Sequence, residues 1–451
     1  MLNCWRSSGP DPGARRSATV APTVAPLTAP ARKLRNLRIV LPPVSRRTFL
    51  FYLLILQKGE KVSLFGKRCY NWGSQPWTDG EEEMLTRRLE RLYPMMADRR
   101  VDCLALVPGA NLFYLTGLRF HLSERPLVAF FAPDRPPALV LPALEVTKAQ
   151  QGPFPLTWQF FSYTDEEGPT AAFHRAAQAL EIEGRRLAVE YLTMRVTELV
   201  LLQQVVPHFD LVEAEPLLSA LRMTKEPEEV DRMRQAVRLT EAALQRVVDS
   251  LQPGMTEREV ASRLWRAFLE EGAEGLAFEP LVLTGPNSAL PHALPGDHPL
   301  RPGDMLIVDC GVVLDGYLSD ITRTFAVGEP DPEMARIYQV VQRANEAGRA
   351  AAGPGVPAQE VDRAARRVIE EAGYGDFFIH RTGHGIGLEV HEPPYIVEGN
   401  EMILQPGMTF TIEPGIYLPG RGGVRIEDDV VITEGGCESL TTFPRDLRRI
   451  G

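Results

Sequence analysis

A chain of 451 residues has room for two or three domains at roughly 150 residues each, which excludes a minimal module stapled by disulfides. Its 44% hydrophobic and 24% charged residues fit a globular protein and exclude both wholesale disorder and a multi-span membrane protein. The net charge of −10 hides an imbalance: residues 1–50 hold nine Lys/Arg and one acid, so the rest of the chain carries −18 and offers nucleic acid no basic stripe.

Residues 1–48 hold seven prolines and no helical or strand period, and they read as disordered. The apolar run at 49–56 is too short to span a bilayer, which needs roughly 20 residues, and lies too far into the chain for a secretory signal. Residues 1–80 are therefore expected to be a disordered or extraneous leader, either an unstructured extension or sequence upstream of a natural start near Met84. An Arg-rich organelle transit segment is the alternative reading. From Glu81 the pattern becomes orderly. Leu85, Leu89 and Leu92 recur at helical spacing behind three acids, and Pro94 is expected to end or kink that helix. Short apolar strands at 101–107, 127–131, 138–141 and 187–190 alternate with helical stretches at 169–182 and 193–205, the pattern of an α/β domain over 81–217. That domain holds no cluster of ligands or nucleophiles, so its expected role is in shaping or assembly.

A second domain, 218–451, opens with a long amphipathic helix at 226–251, entered through Pro227 and a run of acids that suits the helix dipole. The chain then echoes itself. Gly254 to Val260 recurs as Gly355 to Val361, and each segment begins an amphipathic stretch that ends in Gly272 or Gly373. Leu300-Arg-Pro-Gly leads to Asp309-Cys-Gly, and Leu404-Gln-Pro-Gly leads to Glu413-Pro-Gly. Two copies imply one α+β domain built from two similar halves rather than a solenoid.

Each half carries acids on a hairpin. Residues 304–326 fold around Asp315-Gly316, a dipeptide that tolerates positive φ at both positions, so Leu314 should face Tyr317 and Asp309 should face Thr322. Asp320 then shares a sheet face with Asp309, and two acids in an apolar strand call for a cation. Residues 409–416 and 424–432 should place Glu413 and Glu427 on paired strands. Between the hairpins lies H-R-T-G-H-G-I-G-L-E-V-H-E at 380–392, where His384 and His391 add nitrogen donors. Taken singly, such an acid reads as a solvated loop residue and such a histidine as structural, the reading given to His121, His174, His208 and His298. The conjunction points instead to hard oxygen ligands with one imidazole, suited to Mn²⁺ with Co²⁺ or Zn²⁺ as competitors. Four carboxylates exceed the need of one ion and imply two. The five cysteines are scattered without C-x-x-C, which fits a reducing, cytoplasmic setting rather than a disulfide framework.

These motifs closely resemble the metallopeptidase family that includes proline dipeptidase, aminopeptidase P and methionine aminopeptidase, whose catalytic domain is the pita-bread fold. The resemblance covers about residues 84–451. It implies that Asp309, Asp320, His384, Glu413 and Glu427 are the ligands of a dinuclear centre, with Asp320 and Glu427 bridging. The N-L-F-Y-L-T-G run at 111–117 looks like the amino-terminal domain of the proline-specific branch and of creatinase. Creatinase lacks the metal ligands that are present here. The implied activity is hydrolysis of Xaa-Pro dipeptides by a metal-activated hydroxide, with aminopeptidase action on longer Xaa-Pro peptides as the alternative. Glu413 would shuttle the proton, His292 and His391 would serve the oxyanion or orient substrate, and His380 and Arg425 would line the substrate pocket. A structural salt bridge to the adjacent acids is the other reading of Arg425. Family resemblance also implies a homodimer, without membrane or nucleic-acid partners. A non-catalytic pita-bread domain, as in some histone chaperones, would have lost the ligands.

Overall fold

The computed structural model describes residues 79–152 and 156–451. The expected leader, apart from Asp79 and Gly80, and the apolar run at 49–56 lie outside the described residues. Helix Asp79–Asp98 follows from the stripe of Leu85, Leu89 and Leu92, all buried. Contrary to expectation it does not end at Pro94. Leu92 and Met96 are fully buried on either side of the proline, and their packing offsets the hydrogen bond its ring removes.

Six strands form one mixed sheet: β1 (Cys103–Leu106), β2 (Val128–Ala132), β3 (Arg135–Pro142), β4 (Gln159–Tyr163), β5 (Arg186–Val189) and β6 (Asp210–Glu213), in the order β4-β3-β2-β1-β5-β6. The edge strands β4 and β6 escape sequence reading because neither is well covered, so neither needs an apolar run. Alternation splits the central strands between two faces. Leu104, Leu106, Phe131 and Leu139 pack with helices Asp79–Asp98, Ala110–Thr116 and Glu215–Arg222. Cys103, Ala105, Phe130 and Val140 pack with Thr170–Ala179 and Val196–Val205. Helix Glu215–Arg222 runs across the expected 217/218 boundary, and its Leu217, Leu218 and Leu221 belong to this core.

The second domain begins at helix Pro227–Val248, closed at its start by a capping box of Glu226 and Glu229. In the first half, this helix and Glu257–Glu271 cover a sheet containing Leu281–Thr284, Met305–Cys310 and Ile321–Val327. Strand Arg449–Ile450 returns from far along the chain to complete that sheet, pairing parallel with Ile321–Val327. In the second half, helices Pro332–Ala351 and Ala358–Glu371 cover strands Thr409–Ile412, Gly422–Arg425 and Asp428–Thr433. The sequence echo is visible in the helices: Glu257–Glu271 stops at Gly272 (φ 100°), and Ala358–Glu371 stops just before Gly373 (φ 85°). No described helix is long and apolar enough to cross a membrane.

Candidate metal centre

The first hairpin forms as its sequence dictates. Asp315 and Gly316 have φ of 50° and 85°, Leu314 faces Tyr317, and Asp309 faces Thr322. The second departs from expectation. Continuous pairing of 409–416 with 424–432 is interrupted: Thr409–Ile412 pairs with Asp428–Thr433, and Gly415–Leu418 pairs with Gly422–Arg425, both in one register. Glu413 and Glu427 lie opposite each other in the gap. Their amides are claimed elsewhere, Glu413 N donating to the Thr382 carbonyl at 2.8 Å and Glu427 N to the Thr322 carbonyl at 3.1 Å. The lapse therefore ties this hairpin to the histidine segment on one side and to the first hairpin on the other.

Strand Gly383–Gly385 delivers His384 between the two hairpins. It passes so close to its neighbour that a side chain at Gly383 would start 1.8 Å from the Thr411 carbonyl oxygen. Asp320, His384 and Glu427 each bring one ligand atom to within 4.8 Å of the others. Glu413 Oε1 stands 3.4 Å from His384 Nε2. All four, with Asp309, are buried or nearly so.

Crowding of acids governs the electrostatics. Burial first, then the charges of Glu427 and Asp309, hold the Asp320 carboxyl well above the usual range. Burial, Glu413 and Asp309 do the same to Glu427. Glu413 is pushed up to about 7 by burial, with Arg425 pulling the other way. His384 falls to about 3, chiefly by burial, so its ring is neutral; Nδ1 lies 3.2 Å from the Gly385 carbonyl, which leaves Nε2 as the ligand atom. Asp309 Oδ1 and Asp320 Oδ1 are buried without a hydrogen-bond partner. Clustered acids with orphaned acceptors beside a neutral imidazole fit a first-row divalent cation.

The remaining expected residues surround this cluster. The His391 ring meets His384 edge-on, with centroids 4.3 Å apart. His292 is exposed on the loop after residue 289 and near enough for its charge to bear on His380 and His391. His380 is lowered to about 4 by burial, and its Nε2 lies 2.9 Å from the Tyr417 hydroxyl. Arg425 is not bound to the acids beside it in sequence. Its three nitrogens donate to Asp309 Oδ2 (2.6 Å), the Tyr417 hydroxyl (2.8 Å) and Thr322 Oγ1 (3.1 Å). Sequence reasoning misses Tyr417, Thr322 and Asp429. Thr322 was findable, because the register that sets it across from Asp309 was already legible; it donates to Glu427 Oε2 at 2.6 Å. Asp429 accepts the Asp320 amide at 2.9 Å, a contact across more than a hundred residues that leaves no local trace.

Comparison with known proteins places these elements. The model of metallopeptidase family M24 matches residues 231–434, and that of the creatinase/prolidase N-terminal domain matches 88–224. The chain is 38% identical over 360 residues to the putative dipeptidase YkvY of Bacillus subtilis (strain 168), covering 80% of this chain and 99% of that protein. The crystal structure of a dipeptidase from Pyrococcus horikoshii OT3 is similar at 40% identity and a TM-score of 0.76, over 80% of this chain and all of that one. A prolidase from Thermococcus sibiricus is similar at 34% identity and a TM-score of 0.77, over 83% of this chain and all of its own.

Proposed function

The chain belongs to metallopeptidase family M24, with a creatinase-type domain ahead of a pita-bread catalytic domain, and on that premise we propose that it is an Xaa-Pro dipeptidase. Convergence of Asp320, His384 and Glu427 within 4.8 Å, with Asp309 and Glu413 beside them, is the observation that carries the reading. These five residues would hold two divalent ions, Mn²⁺ in preference to Co²⁺ or Zn²⁺. Such ions, when bound, lower the pKa of water and polarise a carbonyl. The protein's own groups do the rest. Glu413, whose Oε1 stands 3.4 Å from His384 Nε2, would take a proton at its carboxylate and return it to the leaving proline nitrogen. Partial burial lowers the His391 pKa below its ordinary value, and the neutral ring has one N–H to donate to a developing oxyanion, with His292 as its counterpart. His380 lines the pocket, fixed by Tyr417. Arg425 serves Asp309, holding the carboxylate in place through a short charge-assisted bond, rather than meeting the substrate.

The names of similar proteins support dipeptide substrates. Cleavage of Ala-Pro and Ala-Pro-Pro under Mn²⁺ and Co²⁺ tests the reading: preference for the dipeptide is expected, and preference for the longer peptide would make the protein an Xaa-Pro aminopeptidase. A reconstituted protein that held no divalent metal and left both peptides uncut would refute either version.

A further inference from the structure

His391 needs a fixed orientation to act on an oxyanion, yet among the described residues its ring makes no hydrogen bond, and its aromatic contact is an edge-on one with His384. What fixes it is the backbone on either side. Glu392, the next residue, is buried, and its Oε1 accepts Lys225 Nζ at 2.6 Å while its Oε2 accepts Arg222 Nη2. Glu389, two residues before His391, accepts Arg222 Nη1 at 2.9 Å. Gly387 makes room for this clamp, since a side chain there would lie 2.7 Å from Glu392 Oε1 and 2.9 Å from Lys225 Cε. Leu388 packs into the amino-terminal core.

The clamp reaches further. Arg222 Nη1 also donates to Asn111 Oδ1 at 2.6 Å, and Asn111 Nδ2 donates to Glu190 Oε1 at 2.8 Å. Glu190 Oε2 in turn accepts the Val107 amide at 2.8 Å, at the end of β1. An unbroken path of hydrogen bonds therefore runs from the central strand of the amino-terminal sheet, through Asn111 of the N-L-F-Y-L-T-G run, to both flanks of His391. No ligand or nucleophile of the second domain lies on that path.

We propose that the amino-terminal domain sets the working orientation of His391, with Asn111 and Arg222 as positioning residues. The proposal rests on the role given to His391 above. A buried guanidinium with three fixed partners has one geometry, whereas the same guanidinium released from Asn111 can tilt, and Glu389 and Glu392 tilt with it. Small errors in the placement of a catalytic donor cost one to two powers of ten in rate.

A double-mutant cycle tests it, reading kcat and KM on Ala-Pro together with bound metal. Asn111→Ala should lower kcat by about tenfold while metal content is kept. In the His391→Ala background the same change should cost less than about twofold, because its route to the reaction is gone. Exchanging amide and carboxylate with Asn111→Asp and Glu190→Gln together should restore kcat. Should Asn111→Ala fail to fold, Glu389→Ala, at a half-exposed site, asks the same question of the other arm of the clamp. Losses that multiply, or an unchanged kcat for both Asn111→Ala and Glu389→Ala, would overturn the coupling while leaving His391 in the mechanism. Full turnover by His391→Ala would remove His391 and the coupling together.

Discussion

At the scale of single residues, Asp320 is the most constrained position of the centre. Its amide is spent on Asp429, one carboxylate oxygen has no partner, and three further acids raise it. If it bridges two ions, Asp320→Ala should take bound metal from two ions per chain to none, as read by metal analysis of the reconstituted protein. Retention of both ions would end the bridging assignment. The acids themselves were legible in the sequence because an Asp-Gly turn fixes a hairpin register, and the register fixes which side chains share a face. The partners of Arg425 were not. The sequence offered Glu427, Asp428 and Asp429 as neighbours, but strand alternation turns Asp428 away to Arg323 and Arg445, and Asp309 arrives from the other half.

At the scale of elements, the site depends on where strands stop pairing. Helices and strands with an apolar face were readable from 3.6-residue and two-residue periods, and the paired helix starts at Thr256 and Pro357 follow the sequence echo. The lapse at Glu413 and Glu427 was not readable, since it exists only because Thr382 and Thr322 supply competing acceptors. Helix Asp79–Asp98 shows the same limit from the other side, a local rule about proline overruled by tertiary burial. Close approach at Gly383 is the element-level feature most open to test. Gly383→Ala would force strand Gly383–Gly385 off Thr411, so loss of metal binding is expected along with a destabilisation of about 1–3 kcal/mol, from overpacking. Urea melts read the second quantity, and a variant with full metal and an unmoved midpoint would contradict the geometry.

At the scale of the whole molecule, the acidic body is mainly surface, but its buried part has a measurable signature. Glu413, Asp320, Glu427 and Asp429 have carboxyls raised in the folded chain above their unfolded values near 4. The metal-free folded state therefore holds more protons than the unfolded chain at neutral pH, so its stability must fall as pH rises. Above about pH 7.5 the buried histidines, whose unfolded values lie near 6.5, are about nine-tenths or more neutral in both states and interfere little. Thermal or urea melts in chelator should show stability falling by about 1.4 kcal/mol per pH unit for each proton retained. Saturating Mn²⁺ should flatten that slope, and a metal-free protein with stability independent of pH would show that the acids are already ionised. Domain order and the two-half plan were legible from composition and repeats; the path from Val107 to Glu392 was not, because each of its bonds joins residues that no period or spacing relates.

Strand Arg449–Ile450 has a consequence for synthesis. It completes the sheet that carries Asp309, but the entire second half separates it from its partner Ile321–Val327. A chain emerging from the ribosome can therefore form the first hairpin early and still present an unpaired edge beside Phe325 until residues 449–450 follow. The acids carried on that sheet thus wait for a strand that arrives only after the second half has been made.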